Sequence, residues 1–330
     1  MLRLLATALA CASFLHAVDT EDRVRKSAPV SSATRLTLNA DFGAIRIQPG
    51  DGERVEVEVY FRGTPASRGE FDRMLRDFTL DVAQQGSDIR VKGAFHDGWK
   101  PMLFRAFSGG HSICHNGQCL EYASWLRDVE YRVTVPHKFD ADLETSGGSI
   151  SVSNLHGQVN ARTSGGSLNF DNIGGPVKGR TSGGSIRIKE VAGDVDAFTS
   201  GGEISIERAS GRVKAHTLGG GIEIQEATGA IDASTSGGAV TASLLGQPTG
   251  ECRLSTSGGS INVSLAKDIH MDLDASTSGG RVWTDFPVPN TVGSNQRDRH
   301  QSELHAPLNG GGPLLYLHTS GGGISVRRAG

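Results

Sequence analysis

Thr181-Ser182-Gly183-Gly184-Ser185-Ile186-Arg187-Ile188 decides the fold, because the chain keeps returning to it. The tetrapeptide Thr-Ser-Gly-Gly begins at Thr145, Thr163, Thr181 and Thr199, recurs as Thr-Leu-Gly-Gly at Thr217, and continues at Thr235, Thr256, Thr277 and Thr319. The first five intervals are 18 residues, the next two 21 and the last 42. A fixed period of this length marks a stacked-repeat architecture, in which each unit buries its apolar side only against its neighbours.

Working outward from the tetrapeptide, the columns of the repeat separate into inward and outward positions. Five residues after each Thr stand Ile150, Leu168, Ile186, Ile204, Ile222, Val240, Ile261 and Val282. Two further on come Val152, Phe170, Ile188, Ile206, Ile224, Ala242 and Val263, with Ser151, Asn169, Arg187, Ser205 and Glu223 between. Alternation of period two predicts a strand with one buried face. A second strand precedes each Thr, where Val159, Val177, Val195, Val213, Ile231, Cys252 and Leu273 are followed two places later by Ala161, Gly179, Ala197, Ala215, Ala233, Leu254 and Ala275. The same alternation turns the Thr inward, which predicts a ladder of hydroxyls bonding one another or the turn backbone.

The two corners carry the glycine. Gly147, Gly148, Gly165, Gly166, Gly183, Gly184, Gly201, Gly202, Gly237, Gly238, Gly258 and Gly259 belong to the first corner, where they are expected as structural turn residues able to take positive φ. Gly157, Gly175, Gly193, Gly211, Gly229 and Gly250 mark the second. The expected fold is all-β: a parallel β-solenoid of 18- to 21-residue coils, flattened into two sheets, right-handed by the general rule for parallel crossovers. Deleting a whole coil should then cost less than placing a carboxylate on an inward position.

Among 330 residues there are 45 glycines, 19 aromatics and four cysteines, only 37% of residues are hydrophobic, and the net charge is −3. Gly without high Pro or a Gly-X-Y period excludes collagen, and near-neutral charge removes the electrostatic case for binding nucleic acid. Residues 1–17, with Arg3 before an apolar run and small Ala17 before Val18, read as a secretory signal peptide. The alternative is a lipoprotein-type site with Cys11 lipidated. No later stretch is long and apolar enough for a membrane span after signal cleavage. Residues 18–32 are expected to be a linker, 33–135 an N-terminal capping region with a helix near Ser67–Phe78, and 136–330 the solenoid, broken by a loop excursion at 286–313.

The repeated T-S-G-G-S-I-x-V pattern, preceded by Asp128-Val129-Glu130-Tyr131-Arg132-Val133-Thr134-Val135-Pro136, resembles the bacterial putative-adhesin family of β-strand-repeat domains of unknown function. The likeness extends over about residues 33–330 and includes Leu36-Thr37-Leu38 and Gly43-Ala44-Ile45-Arg46-Ile47. It implies the solenoid fold. It brings no catalytic residues to carry over, since the adhesin label rests on solenoid analogy.

Chemistry has to be sought on outward columns and excursions. Asp142, Asn160, Lys178, Asp196, Lys214, Asp232, Arg253 and Asp274 stand three residues before each Thr and read as a solvated charge ladder. Glycosidic cleavage needs paired carboxylates; the nearest approximations are Asp194 with Asp196, and Asp272 with Asp274 beside Glu251 in what the spacing makes the adjoining coil. Cys114 and Cys119 are expected as a local disulfide in an exported chain, the alternative being zinc held with His111 and His115. Two excursions break the period, Phe95 to Leu126 and Phe286 to Pro313; excursions on a rigid scaffold are the usual carriers of recognition, so Trp99, Phe104 and Trp125 in the first, and Arg297 and His300 in the second, are the candidate binding residues. The paired Arg327 and Arg328 are expected to guard the last strand edge. The functional expectation is an exported, non-enzymatic cell-envelope protein for adhesion, binding or scaffolding, with a glycan or another envelope or surface protein as partner and no cofactor or metal. The alternatives are a polysaccharide-acting β-helix enzyme and an envelope sensor or assembly factor.

Overall fold

The computed structural model describes residues 20–30, 34–65, 68–95, 113–115, 118–120, 126–288 and 302–329. Its N-terminal part runs through β1 (Thr20–Pro29), β2 (Arg35–Ala40), β3 (Ala44–Pro49), β4 (Arg54–Gly63), helix α1 (Arg68–Arg76), β5 (Phe78–Gln85) and β6 (Asp88–Phe95). A short hairpin, β7 (Ile113–His115) and β8 (Gln118–Leu120), precedes β9 (Leu126–Val135). Seven coils follow as strand pairs: β10 (Asp140–Thr145) with β11 (Ile150–Leu155), β12 (Val159–Thr163) with β13 (Leu168–Ile173), β14 (Val177–Thr181) with β15 (Ile186–Val191), and β16 (Val195–Thr199) with β17 (Ile204–Ala209). The remaining three are β18 (Val213–Thr217) with β19 (Ile222–Ala227), β20 (Ile231–Thr235) with β21 (Val240–Leu244), and β22 (Cys252–Thr256) with β23 (Ile261–Leu265). The chain then forms β24 (Met271–Thr277), β25 (Val282–Thr284), β26 (Glu303–Leu308), β27 (Leu314–Thr319) and β28 (Ile324–Arg328).

Apart from the β7–β8 hairpin, these strands make two 13-stranded sheets, and within the seven coils every neighbour is parallel and the threonines stand opposite one another, as in Thr181↔Thr199 and Thr199↔Thr217. Sheet A collects the strands after the tetrapeptide and sheet B those before it. The expected inward columns are buried: Ile204 and Ile206 are 1% and 0% exposed, and Ala215 and Ala233 are 0%. Sizes across the core are matched, since a Cβ on Gly179 would lie 3.2 Å from the Phe170 ring.

The threonine ladder works through the backbone. Thr199 Oγ1 donates to the carbonyl of Gly184 in the preceding coil at 2.7 Å and accepts from the amide of Gly202 in its own turn at 3.3 Å. The pattern repeats at Thr163, Thr181, Thr217, Thr235 and Thr256. The expected reason for the glycine pairs is corrected. None of them has positive φ; among the described glycines only Gly43, Gly86, Gly310 and Gly311 do. What requires glycine is the approach of successive coils, because a Cβ on Gly202 would lie 2.1 Å from the Gly184 carbonyl oxygen. Positive φ falls instead to Asn154 and Asn172, one residue before the ends of β11 and β13, where the Asn172 side-chain amide donates to Asn154 Oδ1 at 2.8 Å.

Both ends depart from chain order. Sheet B runs β22-β27-β24-β26 and sheet A runs β23-β28-β25, so the last coil is inserted between two coils that precede it in sequence. Thr319 therefore pairs with Thr256 on one side and Thr277 on the other. The expectation that Arg327 and Arg328 guard the last edge is overturned, since β28 lies inside sheet A, with Arg327 over the Trp283 ring and Arg328 over Phe286. The excursion at 286–313 is a loop only in part: β26 pairs antiparallel with β24 and covers the edge of sheet B.

At the other end β2 and β3 sit between β10/β11 and β6/β9. Both sheets thus run through the boundary expected at residue 135, and part of the expected cap is coil. The stretch 18–32 is not a plain linker, because β1 pairs antiparallel with β4 from Thr20↔Gly63 to Pro29↔Arg54. Helix α1 forms where Phe71 and Met74 share a face; both are fully buried, while Arg73 and Arg76 lie in its last turn, where cations suit the helix dipole. Phe61, Phe78, Phe95 and Tyr131 complete this end, with Phe61–Phe78 and Phe78–Phe95 centroids 4.8 and 5.0 Å apart.

Candidate functional site

The outward face of sheet B is depressed between β2 and β18. Three shallow depressions share their linings there: Gln158, Asn160 and Lys178 belong to two of them, and Glu144 and Arg162 link the second to the third. The depression overlaps the run of small inward residues Ala161, Gly179, Ala197, Ala215 and Ala233, which Leu143 and Leu254 bound, and it extends past Leu143 to β2. On its surface each strand offers two outward side chains, fixed by the pleat and by the register with its neighbours.

Three of the four carboxylates lining these depressions, all but Glu144, are engaged by structural partners. Asp142 accepts from the Asn160 amide at 2.6 Å, Asp194 from the backbone N–H of Arg212 at 2.8 Å, and Asp196 from Arg180 at 3.0 Å. Asp194 and Asp196 are thus a corner bond and an ion pair. The second carboxylate group anticipated from the sequence is not assembled, because β27 separates Glu251 from Asp272 and Asp274. Glu251 pairs with Arg253 at 2.9 Å and Asp274 with His305 at 3.1 Å. Rings accompany the charges: the Arg180 guanidinium lies 5.8 Å from the Phe198 ring centroid, and that of Arg253 4.6 Å from Tyr316. Outward histidines bond serines in the next strand, His216 to Ser234 at 2.6 Å and His318 to Ser276 at 2.9 Å.

Sheet A carries a charged group that the repeat did not announce. On β9, Glu130 is 7% exposed and is held by Arg46 at 3.2 Å and Arg132 at 2.7 Å. Its neighbour Asp128, paired with Arg62 at 3.5 Å, has its carboxyl raised above the usual range, first by burial and then by the charge of Glu130. The signal was present as Asp128-Val129-Glu130, yet only the pairing of β9 with β3 and β4 brings Arg46 and Arg62 to it.

Of the anticipated site residues, Trp99, Phe104, Trp125, Arg297 and His300 lie outside the described residues, as do the signal segment and Cys11. Cys114 and Cys119 are Cα partners across the β7–β8 hairpin; their side chains are outside the described set. Cys252 is a buried free thiol, and burial pushes its pKa up. Among the described residues there is no group of three or more His, Cys, Asp or Glu placed to hold a metal ion, and no helix is long and apolar enough to cross a membrane.

Among solved structures, the chain is similar to a putative adhesin from Parabacteroides distasonis at 10% identity, over 93% of this chain and 97% of that one, with a TM-score of 0.41. It is also similar to a putative cell adhesion protein from Clostridium sporogenes at 11% identity, over 94% and 100%, with a TM-score of 0.24. A third is a putative lipid binding protein from Parabacteroides distasonis at 10% identity, over 94% and 97%, with a TM-score of 0.37. No curated protein matches the chain. The family model described as Toastrack DUF4097 matches residues 33–307, from β2 to the strand that closes sheet B, and with well over half its length so matched the chain belongs to the Toastrack DUF4097 family.

Proposed function

We propose that this chain is an exported, non-enzymatic β-solenoid of the cell envelope, which binds a glycan or another envelope or surface protein through the outward face of sheet B. The observation that carries the reading is the continuous depression across that face, whose Asp142, Asp194 and Asp196 are held by structural partners rather than gathered for acid–base work. A rigid parallel scaffold supports it by holding the backbone of this face in register before binding, which leaves only side chains to be ordered. Export rests on the apolar run after Arg3, and the excursion residues Trp99, Phe104, Trp125, Arg297 and His300 are the second contact surface in this proposal. The test is retention of envelope proteins and glycans by the immobilised mature protein. Retention that is lost when outward residues of sheet B are changed supports the reading; no retention of either class overturns it.

A second reading, a carbohydrate-active enzyme, is favoured by one observation: Asp128, with its raised carboxyl, lies two residues along β9 from Glu130. Glu130 is clamped by two arginines, which suits ion pairing better than catalysis. Hydrolysis of an envelope glycan that is abolished by Asp128→Asn would establish that reading in place of the first.

A further inference from the structure

The third depression lies where sheet B meets the Thr-Ser-Gly-Gly corner, and its chemistry differs from the rest of the face. It measures about 420 Å³, and its accessible lining is Glu144, Arg162, Ser164, Arg180, Ser182 and Phe198. Strand pairing places Glu144, Arg162, Arg180 and Phe198 in one row across β10, β12, β14 and β16. Three strand spacings make the row about 14 Å long. That length accommodates a short oligosaccharide.

Five arginines lie on the strands of sheet B, and four are engaged: Arg35 by Asp140, Arg90 by Asp88, Arg180 by Asp196 and Arg253 by Glu251. Arg162 is exposed, and among the described residues no carboxylate or other acceptor holds its guanidinium; Glu144 is its Cα partner, but no ion pair joins them. A guanidinium is a planar fork that matches a carboxylate in two parallel hydrogen bonds. Two strands away, the half-buried Phe198 ring is steadied by Arg180, which is itself tied to Asp196. The exposed hydroxyls of Ser164 and Ser182 border the row on the corner side, and Glu144 at its far end offers acceptors to sugar hydroxyls.

We propose that this corner groove binds a carboxylate-bearing saccharide, with Arg162 taking the carboxylate and the Phe198 ring meeting the apolar face of a neighbouring sugar. The proposal rests on the reading of the sheet B face as a binding surface and names its ligand class. The deciding contact is charge complementarity at Arg162. Glu144, directly across from Arg162, disfavours a second carboxylate beside the first.

Calorimetric or NMR titration with a galactotriose whose terminal sugar alone is oxidised to galacturonate, its methyl ester and neutral galactotriose tests the assignment. The expected result is binding of the acid at least tenfold tighter than of the ester or the neutral sugar. Arg162→Gln and Phe198→Ala should each weaken it at least tenfold, while Arg187→Gln on the opposite sheet leaves it unchanged. Arg162 is exposed, so Arg162→Gln should melt with the parent, and a lowered melting temperature in Phe198→Ala leaves Arg162→Gln as the deciding variant. Equal affinity for acid and neutral sugars, or an unaffected Arg162→Gln, overturns the proposal. Retention of envelope proteins or neutral glycans without uronate binding overturns it and leaves the broader reading standing; no binding to anything overturns both.

Discussion

The hydroxyl of Thr199 sits between the carbonyl of one coil and the amide of the next turn, so it serves as donor and acceptor at once. Thr199→Val keeps the shape but removes the partner of Gly184 C=O and Gly202 N–H at a half-buried corner, and should cost about 1–3 kcal/mol in denaturant unfolding. Thr199→Ser retains the hydroxyl and should stay within about 1 kcal/mol of the parent. The paired glycines divide in the same way: Gly202→Ala meets a carbonyl oxygen at 2.1 Å and should cost about 3 kcal/mol or more, whereas Gly201→Ala meets its nearest atom at 3.4 Å and should be mild. That the threonines point inward was legible from alternation alone. Why the glycines are needed was not, because a period in sequence carries no information on how closely successive coils approach. A third residue-scale effect concerns Asp128, whose carboxyl is raised by burial and by Glu130. A raised acid binds its proton more tightly in the folded state, so its ionisation removes stability as pH rises from the ordinary carboxylate pKa through the raised value. Asp128→Asn should therefore gain in melting temperature relative to the parent between about pH 3 and pH 7; a constant difference across that range would contradict the assignment.

At the scale of elements, the inserted last coil is the feature that spacing concealed. Thr256 and Thr277 are 21 residues apart, the same interval as Thr235 and Thr256, so direct stacking of β24 on β22 was the natural reading. All the Thr-Ser-Gly-Gly coils present equivalent faces, and only the structure shows that β27 lies between β22 and β24. The consequence for chemistry is direct, since the same strand disperses the carboxylates of Glu251, Asp272 and Asp274. Disulfide trapping reads the order: Ser255→Cys with His318→Cys joins Cα partners on adjacent strands and should oxidise readily. Ser255→Cys with Ser276→Cys spans two strand spacings, about 9.6 Å, and should stay reduced. The reverse pattern would restore chain order. Strand β1 escaped sequence reading for a different reason: it is charged on both faces and buries only Ala28, so it lacks the alternation that betrays a strand.

For the whole molecule, stacking without long-range closure makes stability nearly a sum over coils and their interfaces. Removal of residues 182–199 joins Thr181 to Ser200 and lets β17 pair with β13 in the same register, so the shortened protein should fold with little loss of melting temperature. Ile204→Asp places an unpaired carboxylate where the parent side chain is 1% exposed and should cost more than about 4 kcal/mol. The depression on sheet B belongs to this scale too. The small inward column beneath it, Ala161, Gly179, Ala197, Ala215 and Ala233, was legible in the sequence but did not mark which part of the outer face is depressed. Carboxyl and arginine footprinting of the mature protein, free and saturated with an envelope glycan or protein that it retains, tests the binding face most directly. The account predicts protection concentrated on outward residues of sheet B between Asp142 and Lys214, Arg162 above all, and protection confined to sheet A, or absent from both sheets, would contradict it.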